Sequence, residues 1–172
     1  MHEGTVVSSA GGHEDTARCG RPVEFETLGA CREWRRDAVG GVGDAKAGGD
    51  EHVGDPFGRI VGPGGDVLLA REPGNGTVVG CVALLAYPDA VFELAKMAVA
   101  PAAQGRGIGG QLVAAAIDRT QALGGARLFL GTNSKLAPAI HLYEEAGFVR
   151  ITRDRLPAAD YYARADTLME LK

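Results

Sequence analysis

The sequence contains no cysteine pair. Cys19, Cys31 and Cys81 are scattered and form no C-x-x-C or comparable spacing. An odd, scattered set argues against a disulfide framework and fits a reducing compartment. Histidine is as sparse: His2, His13, His52 and His141 include no pair at zinc-binding spacing, and none stands at catalytic spacing around a cysteine. No apolar run reaches membrane-spanning length. The first twenty residues, MHEGTVVSSAGGHEDTARCG, lack the basic start and apolar stretch of a secretory signal. Charge of one sign is also missing, since 18 Lys and Arg face 22 Asp and Glu for a net −4. That balance gives no general attraction for nucleic acid. The expected setting is cytoplasmic, with no membrane, nucleic-acid or metal partner.

What is present suits one globular domain. The chain has 172 residues, 45% apolar and 23% charged, enough to bury a sizeable core. Fifteen of its 26 glycines lie in residues 1–65, where apolar periodicity is scarce. Residues 1–20 are expected to form a flexible tail and 21–172 the domain, with 66–171 the best patterned part. Val23 and Phe25 suggest a short strand, Leu28, Trp34 and Val39 a helix, and the turn-rich stretch 40–56 a loop.

From Asp66 the pattern sharpens. Asp66–Arg71 and Thr77–Ala86 flank Pro73-Gly74-Asn75-Gly76, and Val91–Val99 follows Tyr87-Pro88-Asp89, which predicts an antiparallel meander. Gly107 to Leu123 has helical periodicity, with Ile108, Leu112, Ala115, Ala116 and Leu123 on one stripe. Arg127–Thr132 reads as a buried strand and Pro138–Ala146 as a helix ended by Gly147. Phe148–Thr152 and Ala165–Leu171 complete the order β-β-β-α-β-α-β-β. The expected class is α+β, a mixed sheet with flanking helices.

The densest motif, Gln104-Gly105-Arg106-Gly107-Ile108-Gly109-Gly110, falls between a strand and a helix. Glycines let a ligand approach the backbone, and a helix start offers unpaired N–H groups to a phosphate. Three or four hydrogen bonds to charged oxygen, each contributing roughly 1.5–3 kcal/mol, could anchor a pyrophosphate. The bland alternative is a tight turn with glycines for close packing. A dinucleotide fold is the sharper rival, because Gly105-x-Gly107-x-x-Gly110 matches its spacing. It is opposed by the antiparallel context, by the single strand–helix–strand crossover, and by a following strand that ends in Thr132-Asn133 instead of an acidic residue.

Two runs carry a family resemblance. Val99-Ala100-Pro101 followed by Gln104 through Gly109 is similar to the Q/R-x-x-G-x-G/A signature of the GNAT superfamily of N-acetyltransferases. Leu142-Tyr143-Glu144-Glu145-Ala146-Gly147-Phe148 resembles its aliphatic-Tyr-Glu-x-x-Gly-Phe run, in the family's order. The resemblance implies a mostly antiparallel sheet in which Val91–Val99 and Arg127–Thr132 run parallel and splay apart to hold acetyl-CoA. It implies that the backbone of Met97, Ala98 and Val99 pairs with the pantetheine arm and that Gln104, Gly105, Arg106, Gly107, Ile108, Gly109 and Gly110 hold the pyrophosphate. Family members commonly carry asparagine seven residues before the tyrosine. Leu136 stands there, and Asn133, ten residues before it, is the candidate CoA contact.

Transfer to an amine requires a neutral nitrogen, and an amine with pKa near 10 is mostly protonated at neutral pH. A base must take that proton, and an acid helps the thiolate leave. Glu93 is the candidate base, since strand alternation places it on one face with Ala95, Met97 and Val99. A solvated carboxylate or a partner for Lys96 is the competing reading, with water or an acceptor-side carboxylate as substitute. Tyr143 is the candidate acid by resemblance, against a plain core tyrosine on the stripe of Ala139, Leu142 and Ala146. His141 is read as a member of the polar face with Glu144 and Glu145. The acceptor wall is expected from residues 26–60 and from 154–164, where Asp154, Arg155, Asp160, Tyr161 and Tyr162 stand. The expected function is transfer of acetyl to a primary amine of a small molecule or peptide, with a homodimer usual for similar proteins. The alternative is a non-catalytic acyl-CoA-binding or sensor domain.

Overall fold

Leucine- and valine-rich runs cut by turn residues form the strands of the fold. The computed structural model describes residues 22–27, 57–157 and 165–172. The tail expected over 1–20, the helix around Trp34, the loop over 40–56, and Asp160, Tyr161 and Tyr162 lie outside the described residues. The strands are β1 (Glu24–Thr27), β2 (Asp66–Arg71), β3 (Val78–Tyr87), β4 (Val91–Val99), β5 (Arg127–Thr132), β6 (Phe148–Arg150) and β7 (Thr167–Leu171). Among the described residues two α-helices, α1 (Ile108–Ala122) and α2 (Ala137–Glu145), follow β4 and β5. The sheet order is β1-β2-β3-β4-β5-β7-β6. Among the described residues only β4 and β5 pair in parallel, so the expected mixed α+β sheet is observed.

Small displacements of the element ends have local causes. β3 starts at Val78 instead of Thr77 because the Thr77 N–H donates to Asn75 Oδ1 in the preceding turn. β7 starts at Thr167 instead of Ala165, since the Asp166 carboxylate accepts from the Ser134 N–H and Oγ outside the ladder. β6 stops at Arg150, and the chain turns through Arg153–Arg155.

Alternation sorts the sheet into two faces. Leu68, Leu84, Phe92, Leu130 and Met169 form a larger core with Leu112, Val113 and Ala116 of α1 and Ile140 and Tyr143 of α2. Val91, Phe129 and Leu168 form a smaller core on the other face, joined by half-buried Tyr87 and Ile151. Gly80 lets α1 lie close against β3. A Cβ there would stand 2.9 Å from Leu112 Cδ1 and 3.0 Å from the Ala98 carbonyl oxygen. Asp66 is fully buried and accepts from Arg119 Nε at 2.7 Å, pinning α1 to the start of β2. No described helix is long and apolar enough to cross a membrane.

The far side of the sheet is tied by one carboxylate. Glu170, 9% exposed, accepts from Arg127 Nη2 at 2.7 Å and Arg155 Nη2 at 3.1 Å. The Arg127 guanidinium, foremost, and then Arg155 hold the Glu170 carboxyl below its usual range against the opposing effect of burial. A depressed folded value makes this contribution to stability fully present above the unfolded pKa of about 4.3, and it is lost as pH falls through the folded value. Glu170→Gln is therefore expected to cost about 1–3 kcal/mol at neutral pH, a fall in Tm of roughly 3–10 °C. Scanning calorimetry should show the gap between variant and wild type narrowing as pH falls below the unfolded value of about 4.3. A gap independent of pH would contradict the ionic account.

Candidate active site

The ladder between β4 and β5 is short. Val91, Phe92 and Glu93 pair with Arg127, Leu128 and Phe129, and there the parallel pairing stops. β5 continues against β7 through Thr132, while β4 continues against β3. Two parallel strands therefore diverge beyond Glu93. Along the divergent part, Ala98 and Val99 are paired with Cys81 and Gly80 of β3 on one side only, among the described residues. Backbone groups on the other side of such a strand suit an extended ligand with amide groups of its own.

The divergence coincides with a bulge. Cys81 faces Ala98 and Ala83 faces Ala95, so two steps along β3 are matched by three along β4. The extra residue is Lys96, whose φ of 54° lies in the left-handed region that a non-glycine residue seldom adopts. This corrects one expectation from the sequence. Uninterrupted alternation would put Glu93, Ala95, Met97 and Val99 on one face. The inserted residue instead sends Met97 and Val99 to the larger core, with Phe92 and Leu94. Glu93 stays on the opposite face, where Tyr87 Oη donates to its Oε2 at 2.9 Å. The Tyr87 ring lies 5.6 Å from that of Phe129, which packs it into the smaller core. Tyr87 was missed in the sequence, although its place opposite Val91 across the Pro88-Asp89-Ala90 turn brings it beside Glu93.

The glycine loop leads from the end of β4 into α1. Gly105 and Gly107 have φ of 74° and 75°, values that favour glycine. Gly107 caps α1 and, having no side chain, offers the first N–H groups of the helix no capping acceptor of its own. Gly109 serves a different purpose. A Cβ on Gly109 would lie 3.2 Å from Leu142 Cδ2, and one on Gly110 3.7 Å from Leu142 Cδ1. Two glycines shape the loop, and Gly109 lets α1 approach α2 just beside Tyr143, whereas a Cβ on Gly110 would make an ordinary contact. The side chains at the loop turn back to the protein: Gln104 Nε2 donates to the Val99 carbonyl at 3.3 Å, and Arg106 Nη1 to Glu72 Oε1 at 2.7 Å.

Tyr143 is buried at 7% exposure, with its ring edge-on to Phe148 at 6.0 Å. Burial pushes its phenol above the usual tyrosine range, so it stays protonated throughout neutral pH. It joins the core against which Met97 and Val99 pack. Asn133 accepts the Lys135 N–H on its Oδ1 at 3.0 Å and thereby shapes the turn into α2. His141 lies on the exposed face of α2, 3.3 Å from Glu145. Asp154 and Arg155, expected on the acceptor wall, fall in the turn Arg153–Arg155, where Arg155 is committed to Glu170.

Residues 30–148 match the profile of the acetyltransferase (GNAT) family. The chain belongs to that family. An uncharacterised N-acetyltransferase of Schizosaccharomyces pombe is 32% identical over 100 residues, covering 58% of this chain and 61% of the relative. The chain spans less than two thirds of the length of the curated relatives it matches. Among solved structures, a GNAT acetyltransferase of Staphylococcus aureus superposes with a TM-score of 0.65 at 21% identity, over 81% of this chain and 80% of that one. The N-acetylglutamate synthase of Neisseria gonorrhoeae, in complex with coenzyme A and N-acetylglutamate, superposes with a TM-score of 0.54 at 29% identity, over 61% of this chain and 25% of the synthase. These likenesses agree with the mostly antiparallel sheet, its parallel β4–β5 pair and the flanking helices of this GNAT chain.

Proposed function

We propose that this protein transfers an acetyl group from acetyl-CoA to a primary amine of a small molecule or peptide. The observation that carries the reading is the divergence of β4 from β5, which ends at a glycine-capped helix. The backbone of Met97, Ala98 and Val99 takes the pantetheine arm, and the loop from Gln104 through Gly110 takes the pyrophosphate. Asn133, at the end of β5, lies on the other wall of the cleft. Bound acetyl-CoA would supply the thioester, and its phosphates would meet N–H groups and the positive end of α1.

The chemistry needs no covalent enzyme intermediate. Glu93 takes a proton from the ammonium group, and the neutral nitrogen then attacks the thioester carbonyl carbon. The Val99 N–H polarises the carbonyl oxygen as negative charge develops there. When the carbon–sulfur bond breaks, the Tyr143 hydroxyl donates to the departing sulfur. A phenol whose pKa burial has raised is a weaker acid than a thiol near 8.5. Tyr143 therefore donates in step with bond breaking and does not protonate a free thiolate.

Heat denaturation tests the cofactor half of this reading. Acetyl-CoA at about a hundred times its Kd should stabilise the fold by about 2.7 kcal/mol, a rise in Tm of roughly 5–11 °C for a chain of this size. NADH should produce no shift. Absence of a shift at millimolar acetyl-CoA would remove the proposal. A panel of amines assayed by release of free thiol tests the other half: acceptor-dependent release means an enzyme, and tight binding without turnover means a sensor.

A further inference from the structure

The glycine loop has few means of holding its shape. Gly105 has nothing within 4 Å of where a Cβ would be, so no packing buttresses the loop there. Glycine also carries the largest entropy cost of ordering. Two side-chain ties connect the segment Gln104–Gly107 to the rest of the protein among the described residues. One, from Gln104 to the Val99 carbonyl, is long at 3.3 Å. The other, from Arg106 to Glu72, is short and charged at 2.7 Å, and it reaches 34 positions back along the chain.

Glu72 is itself well fixed. It follows β2 directly, and its N–H donates to the Thr77 carbonyl across the turn between β2 and β3. Its second carboxylate oxygen accepts from Asn75 Nδ2 at 3.3 Å. Arg106 sits between the two left-handed glycines, so fixing its side chain fixes the backbone on both sides of it. A guanidinium held in this way points at the turn between β2 and β3.

We propose that Glu72 is a positioning residue for the cofactor loop: it grips Arg106 and so presets the N–H groups of Gly105 to Gly107 for the pyrophosphate. The Arg106 side chain serves as the anchor, and its main chain serves the ligand. This inference rests on the reading of the loop as the pyrophosphate site. It differs from a reading in which the Arg106 guanidinium itself binds phosphate.

The two roles separate in a charge-swap experiment on the full chain. Glu72→Gln and Arg106→Gln should each raise the KM for acetyl-CoA about two- to fivefold, the range of one partly exposed ion pair, with kcat and the Tm of the ligand-free protein unchanged. The double variant Glu72→Gln/Arg106→Gln should be no worse than either single change, because both remove the same contact. The swap Glu72→Arg/Arg106→Glu should recover most of the lost affinity. A phosphate-binding role for Arg106 gives the opposite pattern. Glu72→Gln would then tighten binding by releasing the guanidinium, and the swap would bind worse than either single change, since a carboxylate at position 106 repels phosphate. Either of those results overturns the proposal. Gly107→Glu, measured alongside, keeps the two levels apart. If it leaves acetyl-CoA binding intact, the loop assignment fails; if it abolishes binding while Glu72→Gln changes nothing, only the anchor fails.

Discussion

Gly107→Glu is expected to lower affinity for acetyl-CoA more than a hundredfold and to erase the thermal shift that the ligand produces. Two separate causes add. Gly107 has φ of 75°, where a residue with a Cβ costs about 1–2 kcal/mol. The glutamate carboxylate then stands at the cap of α1, where two or more charge-assisted hydrogen bonds of roughly 1.5–3 kcal/mol each await a phosphate. It competes for those donors and repels the ligand. Gly107→Ala separates the causes, because it imposes the backbone strain without the charge. A loss of about tenfold for alanine, with a much larger loss for glutamate, is the expected pair of results in isothermal titration calorimetry. The ligand-free glutamate variant should melt no more than a few degrees below wild type, since a carboxylate at a helix N-terminus is itself favourable. Equal affinity in both variants and wild type would place the pyrophosphate elsewhere.

Most of this architecture was legible in the sequence, because it depends on short-range patterns. Arg127–Thr132 was read to the residue, and the meander of β2, β3 and β4 followed from apolar runs cut by Pro73-Gly74-Asn75-Gly76 and Tyr87-Pro88-Asp89. The bulge at Lys96 was not legible. Nothing in VFELAKMAV breaks alternation by composition: no glycine or proline marks the extra residue, and lysine is an unusual occupant of φ near 54°. The distortion comes from the mismatch between β3 and β4, which only their pairing reveals. Its consequence for the site is large, since it moves Met97 and Val99 to the face opposite Glu93. The partner of Arg106 was hidden for a related reason. A contact across 34 positions leaves no periodic trace, and a lone arginine in a glycine loop reads naturally as a phosphate ligand. Asn133 shows the same limit at shorter range, because its carboxamide oxygen is drawn to the Lys135 N–H two residues on.

Glu93→Gln should reduce kcat by about 10²–10⁴-fold while leaving the acetyl-CoA thermal shift unchanged, as expected for loss of a general base. The substitution keeps shape and a hydrogen-bond acceptor for Tyr87 Oη, so the β4 neighbourhood has little reason to rearrange. What it removes is the ability to take a proton. The residual rate should then climb about tenfold per pH unit up to the pKa of the acceptor amine, because bulk solvent now supplies the neutral nitrogen. Tyr143→Phe should behave differently. Its rate should fall at every pH, because no external proton source reaches a group that is 7% exposed. Wild type should show no alkaline loss from this phenol within the ordinary tyrosine range, since burial raises its pKa and keeps the donor protonated. A decrease in kcat below about threefold for Glu93→Gln would hand the proton to water or to an acceptor-side carboxylate. The geometry argues for Glu93 on one specific ground. The bulge that carries Met97 and Val99 to the other face starts three residues beyond it, so this carboxylate lies at the last parallel pair, where β4 and β5 begin to part.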